Sequence, residues 1–161
     1  LFPLKASIKW PNDLLVNNKK VCGILTESKT KGEVLDFVIV GIGINANYNL
    51  NALPTNLRDS STTLKEELKK GIELETLLRK LVEETEFYYD LFTEGKFDAI
   101  LKEWRNITGF IGSYVEVASG KERIKGWATD VDEDGALMVR LHDQSIRKVT
   151  SEDVTIIDKA N

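Results

Sequence analysis

Hydrophobic and polar positions change period twice along this chain. From Ala6 to Ile42 they form short apolar runs broken by Asn, Gly and Lys, the pattern of strands joined by tight turns. Leu14-Leu15-Val16 and Val21–Glu27 flank Asn17-Asn18 and predict a hairpin. A turn over Lys29–Glu33 leads into Val34–Ile42, whose almost unbroken apolar character predicts a strand covered on both faces. Asn45–Asn51 is Asn-rich and aperiodic and, with Pro54, reads as a loop leaving the sheet.

After Ser61 the period becomes helical. Thr63 and Glu66 have capping-box spacing, and Leu64 and Leu68 share one face. Leu74, Leu77, Leu78, Leu81, Tyr88 and Phe92 predict a long helix stopped at Gly95. Phe97, Ile100, Leu101, Trp104 and Ile107 predict a shorter one, and this aromatic stripe is expected to pack in the core. Beyond Gly109 the period returns to two. Val115 and Val117, a turn at Gly120, Ile124–Thr129, Asp132–Gly135, Leu137–Leu141, a His142-Asp143 turn and Ile146–Val149 predict a small antiparallel barrel packed on the helices. The expected class is α+β, with domains at residues 1–109 and 110–161.

Composition narrows the function classes. The 161 residues carry a net charge of −4, positive only in residues 1–60, so no overall basic field attracts nucleic acid. No apolar run approaches the roughly 18 residues of a membrane span. Cys22 is the single cysteine, which excludes an internal disulfide, reads as a small buried hydrophobe, and fits a reducing, cytoplasmic setting. The chain opens Leu1-Phe2-Pro3-Leu4, and its one methionine is Met138. We read it as an internal piece that begins inside a domain.

Chemistry-bearing residues cluster at two strand ends. In Lys9-Trp10-Pro11-Asn12-Asp13, Pro11 stops the strand, and Lys9 is either a point charge for an anionic ligand or a surface lysine before a turn. Gly41-Ile42-Gly43-Ile44-Asn45-Ala46 superficially fits a dinucleotide fingerprint. That fingerprint needs a helix next, and an Asn-rich loop follows instead. The glycines still let a ligand approach the backbone, and Asn45 has the donor and acceptor to read an adenine edge. His142 has no Cys or His neighbour at ligand spacing, and Asp130, Asp132 and Asp134 read as a solvated acidic turn, so no metal site is expected.

In order and spacing, Lys9–Asp13, Lys20-Val21-Cys22-Gly23-Ile24-Leu25-Thr26-Glu27 and Gly41–Asn45 resemble the second half of the catalytic domain of biotin protein ligases. Ser61-Thr62-Thr63-Leu64 resembles the segment that follows there, and Gly126 with Asp132–Leu137 the family's SH3-like C-terminal domain. The resemblance implies part of a class II synthetase-like mixed sheet followed by an SH3-like barrel. It implies an enzyme that joins biotin and ATP, with Mg²⁺, into biotinyl-5′-AMP and passes biotin to a lysine of a carboxylase carrier domain. Lys9 would be the catalytic cation and Asn45 the adenine reader, while Trp10, Asn12, Asp13, Gly23 and Gly43 shape the biotin and adenylate pocket. Family members often form homodimers through the catalytic sheet.

Thr150-Ser151-Glu152-Asp153-Val154 departs from the family in lacking a glycine. The family's Arg- and Gly-rich loop is not among these residues, so the chain alone is expected to be inactive. Two rivals remain. A lipoate ligase shares the Lys and Asn-Asp pattern but is disfavoured by Trp10-Pro11 and the barrel. A non-catalytic module that binds the carrier protein remains compatible with the barrel.

Overall fold

A computed structural model describes residues 2–119, 122–150 and 153–158. The expected turn at Gly120 and the Ser151-Glu152 departure lie outside the described residues. Strands β1 (Ala6–Lys9), β2 (Asp13–Val16), β3 (Lys19–Lys31) and β4 (Val34–Ile44) form a sheet in that order. Asn17 and Asn18 both adopt positive φ, 51° and 63°, which matches the twist of the β2–β3 hairpin they close. Gly32, at φ 64°, opens the β3–β4 turn, which is also two residues long.

A 3-10 turn (Leu50–Ala52) and the short helices α1 (Thr55–Arg58) and α2 (Leu64–Leu68) follow. The Thr63 hydroxyl caps α2 by accepting the Glu66 N–H at 3.1 Å. Helix α3 (Leu74–Thr93) ends where Gly95 turns left-handed at φ 71°, and α4 (Phe97–Ile107) follows. Strands β5 (Tyr114–Ser119), β6 (Glu122–Val131), β7 (Leu137–Arg140), β8 (Ile146–Val149) and β9 (Asp153–Asp158) make the SH3-like antiparallel sheet, ordered β8-β7-β6-β5-β9. Among the described residues no ladder joins β8 to β9, so the barrel is open there. No described helix is long and apolar enough to cross a membrane.

Packing divides the chain differently from the change of period at 109/110. One compact unit is residues 1–7 and 12–80, and the other is residues 8–11 and 81–161. The first has a core of Val16, Val21, Cys22, Leu64 and Ile72. In the second, Val115, Val117, Leu137 and Val139 are fully buried and share a core with Trp10 and Phe110. Leu101 and Trp104 of α4 pack on this core, which is why the helix belongs with the barrel.

Two expectations are corrected. Strand β4 is not covered on both faces: Phe37, Val38, Ile39 and Val40 are all exposed, because the long β3–β4 hairpin runs on past the core, which only Ile42 and Ile44 of β4 reach. The α3 stripe is not core either, since no residue of α3 is buried and Leu78 and Phe92 are 59% and 57% exposed.

Candidate active site

Three strands bring Asp13, Gly23 and Gly43 into one rung, Asp13 opposite Gly23 and Gly23 opposite Gly43. The next rung is Leu14, Cys22 and Ile44, which pack with the core of the first unit. Side chains alternate along a strand, so the Asp13–Gly23–Gly43 rung faces away from that core. Two of its three positions carry no side chain, which leaves a strip of backbone open on that face.

A cation lies over this strip, and it is Lys20. Its Nζ is 2.5 Å from Asp13 Oδ1, and a Cβ built on Gly23 would stand 3.0 Å from both Lys20 Cε and Nζ. Gly23 therefore makes room for the Lys20–Asp13 pair. At Gly43 an added Cβ would meet only the Gly23 carbonyl oxygen at 3.7 Å, so folding alone does not demand that glycine.

Lys20 is held from several sides. Its N–H donates to Ser60 O at 2.8 Å, and its carbonyl accepts from Thr62 N–H at 2.9 Å and from Asn45 Nδ2 at 3.1 Å. The β2–β3 register shifts at Leu14/Leu15, opposite Lys20, an irregularity of the kind that re-aims a side chain. Burial pushes the neighbouring Cys22 thiol above its ordinary value, with Lys20 acting the other way, so this cysteine is an inert small hydrophobe.

Asn12 ties the motif to β3. Its Nδ2 donates to Ile24 O at 2.7 Å, and Ile24 N–H returns a bond to Asn12 O at 2.9 Å. Asn45 clasps three segments. Both of its amide hydrogens are used, on Lys20 O at 3.1 Å and Thr62 O at 3.0 Å, while its own N–H donates to Val21 O at 2.8 Å. With both amide hydrogens spent on backbone carbonyls, only Oδ1 is left for a further partner, so the side chain has no free donor for a paired donor-and-acceptor contact.

The other two motif residues belong to the second unit. Lys9 ends β1, half-buried, and makes no ion pair among the described residues. Trp10 is 4% exposed in the barrel core and donates Nε1–H to Gly135 O at 3.0 Å, so its side chain anchors the motif and lines no open pocket.

The acidic turn is likewise more than solvated. Asp132 Oδ1 accepts the N–H groups of Asp134 and Ala136 at 3.1 and 2.9 Å, and Oδ2 lies 2.8 Å from Lys148 Nζ. Asp130 pairs with Arg105 at 2.8 Å. His142 shares a 2.8 Å hydrogen bond with the Tyr114 hydroxyl.

The sequence reading singled out Lys9 and passed over Lys20. The spacing held no signal, because residues three apart on a regular strand point to opposite faces, and Lys20 reaches Gly23 where the β2–β3 register is irregular.

Residues 4–45, which contain the rung, match the model of the biotin/lipoate A/B protein ligase family. That model leaves biotin and lipoate open. Residues 110–155 match the biotin protein ligase C terminal domain. The chain belongs to the biotin protein ligase family.

The bifunctional ligase/repressor BirA of Bacillus subtilis is 32% identical over 154 residues, covering 95% of this chain and 47% of that protein. The apo structure of the Aquifex aeolicus biotin protein ligase aligns with TM-score 0.80 at 27% identity, over 94% of this chain and 65% of that one. The same enzyme in complex with biotin and ATP gives TM-score 0.77 at 26% identity, over 96% and 62%. The chain spans about half the length of the curated relatives it matches.

Proposed function

We propose that the protein to which these residues belong activates biotin with ATP, in the cytoplasm, and transfers it to a lysine on the carrier domain of a biotin-dependent carboxylase. The observation behind this reading is the Lys20 ammonium held over the bare Gly23–Gly43 strip, inside the segment that matches the ligase family. In the first step a biotin carboxylate oxygen attacks the α-phosphorus of ATP, the anhydride C–O–P bond forms, and pyrophosphate leaves. Negative charge builds on the phosphate oxygens, and a fixed ammonium beside them stabilises the transition state. In the second step the acceptor amine attacks the acyl carbon, AMP leaves, and the amine gives up a proton as the amide forms.

Each group has a distinct part. Lys20 supplies the cation nearest the strip, and Asp13 and Gly23 hold it there. Lys9, in the same motif, carries a second positive charge. Asn45 accepts from the exocyclic amine of adenine through Oδ1, while its two hydrogens keep Lys20 and Thr62 in place. Asp13 is the one carboxylate on the rung and is paired with Lys20, so Mg²⁺ enters on the phosphates as Mg·ATP.

The test is to incubate the whole protein with Mg·ATP, a carrier domain and either biotin or lipoate, and weigh the carrier by mass spectrometry. The expected result is a biotinyl mass shift on one lysine. A lipoyl shift without a biotinyl one would overturn the reading.

A further inference from the structure

The barrel carries a second feature with no part in the site above. A cleft of about 410 Å³ lies between the start of β6 and the β7–β8 turn. Arg123, Lys125 and Arg147 line it, and Ile124 and Leu141 give it an apolar floor. His142 forms one wall and is held in place by its bond to Tyr114 and by an edge-on contact with Trp127, ring centroids 5.0 Å apart.

Its charge runs against its surroundings. Residues 110–161 carry a net −3, and in the 130–134 turn Asp130 and Asp132 face their own partners, Arg105 and Lys148. In the cleft three cations converge. Arg123 and Lys125 already seat a carboxylate between them, that of Glu116, with Lys125 Nζ 3.0 Å from it. The guanidinium of Arg123 has five N–H donors and spends one of them there. Arg147 is exposed on β8 and makes no ion pair among the described residues. Asp143, the one acid lining the cleft among the described residues, accepts Ser145 N–H at 3.0 Å and the Ser145 hydroxyl at 2.6 Å through Oδ1, and these bonds, with a weaker pull from Arg147, hold its carboxyl below the ordinary value.

We propose that this cleft seats an acidic peptide segment of a partner protein, with its carboxylates on Arg123 and Arg147 and one apolar side chain on Ile124 and Leu141. The volume suits a few side chains. Asp143 in the cleft wall, and Glu116 paired with Arg123 and Lys125, disfavour the continuous phosphates of a nucleic acid, while separate carboxylates fit around them. The inference does not depend on the ligase reading, because the cleft lies wholly in the second unit and its test needs no turnover.

The experiment titrates a short synthetic Glu/Asp peptide with one central Leu into the 161-residue chain and follows backbone amide shifts by NMR. Saturable shifts at Ile124, Leu141 and Arg147, weakening as salt is raised, are expected. Arg147→Glu should weaken binding at least tenfold, on the order expected when like charges are set face to face. Lys102→Glu makes the same net change on the exposed side of α4, outside the cleft, and should stay within about twofold. No saturable binding, equal losses in the two variants, or tighter binding of a single-stranded oligonucleotide at the same amides would each overturn the proposal.

Discussion

Two identical substitutions, Gly126→Ala and Gly23→Ala, should have unequal consequences. A Cβ on Gly126 would lie 2.8 Å from Val139 Cγ1, 3.0 Å from the Arg140 carbonyl carbon, and closer still to that carbonyl's oxygen. Those backbone atoms belong to β7, which pairs with β6, so relief requires the two strands to part. Overpacking of this kind costs about 1–3 kcal/mol, and a backbone clash belongs at the upper end. Replacing Gly by Ala returns about 0.4–1 kcal/mol by restricting the unfolded chain. The net loss is about 2 kcal/mol. At Gly23 the Cβ meets only the end of Lys20, a flexible side chain 46% exposed, which can swing aside. Its pair with Asp13 is worth at most about 1 kcal/mol, much the same as the gain, so the net is near zero. Urea denaturation followed by far-UV circular dichroism, which reports both units, together with the emission of Trp10, Trp104 and Trp127 in the second unit, reads the difference. With a slope of about 1–3 kcal/mol per molar, the Gly126→Ala midpoint should fall by roughly 1 M while Gly23→Ala stays near wild type. Equal midpoints for the two variants would refute the account of why each glycine is there.

Three further predictions follow from the same contacts. Asn45→Ala leaves two backbone carbonyls short of partners and should cost about 1–3 kcal/mol in stability; calorimetry on the whole protein should show weaker ATP binding with biotin binding nearly unchanged, and equal losses for both ligands would leave Asn45 a purely structural role. The Lys148 ammonium, helped by the Ala136 and Asp134 N–H groups, holds the Asp132 carboxyl below its ordinary value. Stability from such a group is present above the unfolded pKa of about 3.9 and lost as pH falls through the lower folded value; melting temperature should therefore drop on acidification below about pH 4, less steeply in Asp132→Asn, and parallel curves would contradict this. Residues 1–161 alone should form no detectable biotinyl-5′-AMP, since nothing in them supplies the Arg- and Gly-rich loop that shields the anhydride from water; product from the purified chain, read by mass spectrometry, would show that loop to be dispensable.

Local signals carried the most readable parts of the fold. Asn17-Asn18 announced a hairpin because few residue pairs accept two positive φ angles, and Gly95 marked the end of α3 for the same reason. Alternation exposed β5 to β8, while β9 was missed because acidic residues at both ends hide its short Val154–Ile156 centre. Exposure was not legible. Most of the apolar run of β4 and of the α3 stripe is exposed, with only Ile42 and Leu77 of those residues packed on the first core, and periodicity records a face's chemistry without saying what lies against it. The site was half legible. Glycines and Asn45 stood out by type, but one strand lysine looks like another until the register sets Lys20 over Gly23. Trp10, taken for a pocket residue, is instead committed to the barrel core.

The central claim is that Lys20 supplies the charge at the reacting phosphate. Biotin-dependent exchange of labelled pyrophosphate into ATP, measured on the whole protein, tests it most directly. Lys20→Ala should slow exchange by about 10²–10³, equivalent to roughly 3–4 kcal/mol of transition-state stabilisation, with biotin binding changed only slightly. Lys20→Arg should not restore the rate, because a planar fork does not replace a compact ammonium beside Asp13. Exchange by Lys20→Ala within a few-fold of wild type would contradict the account.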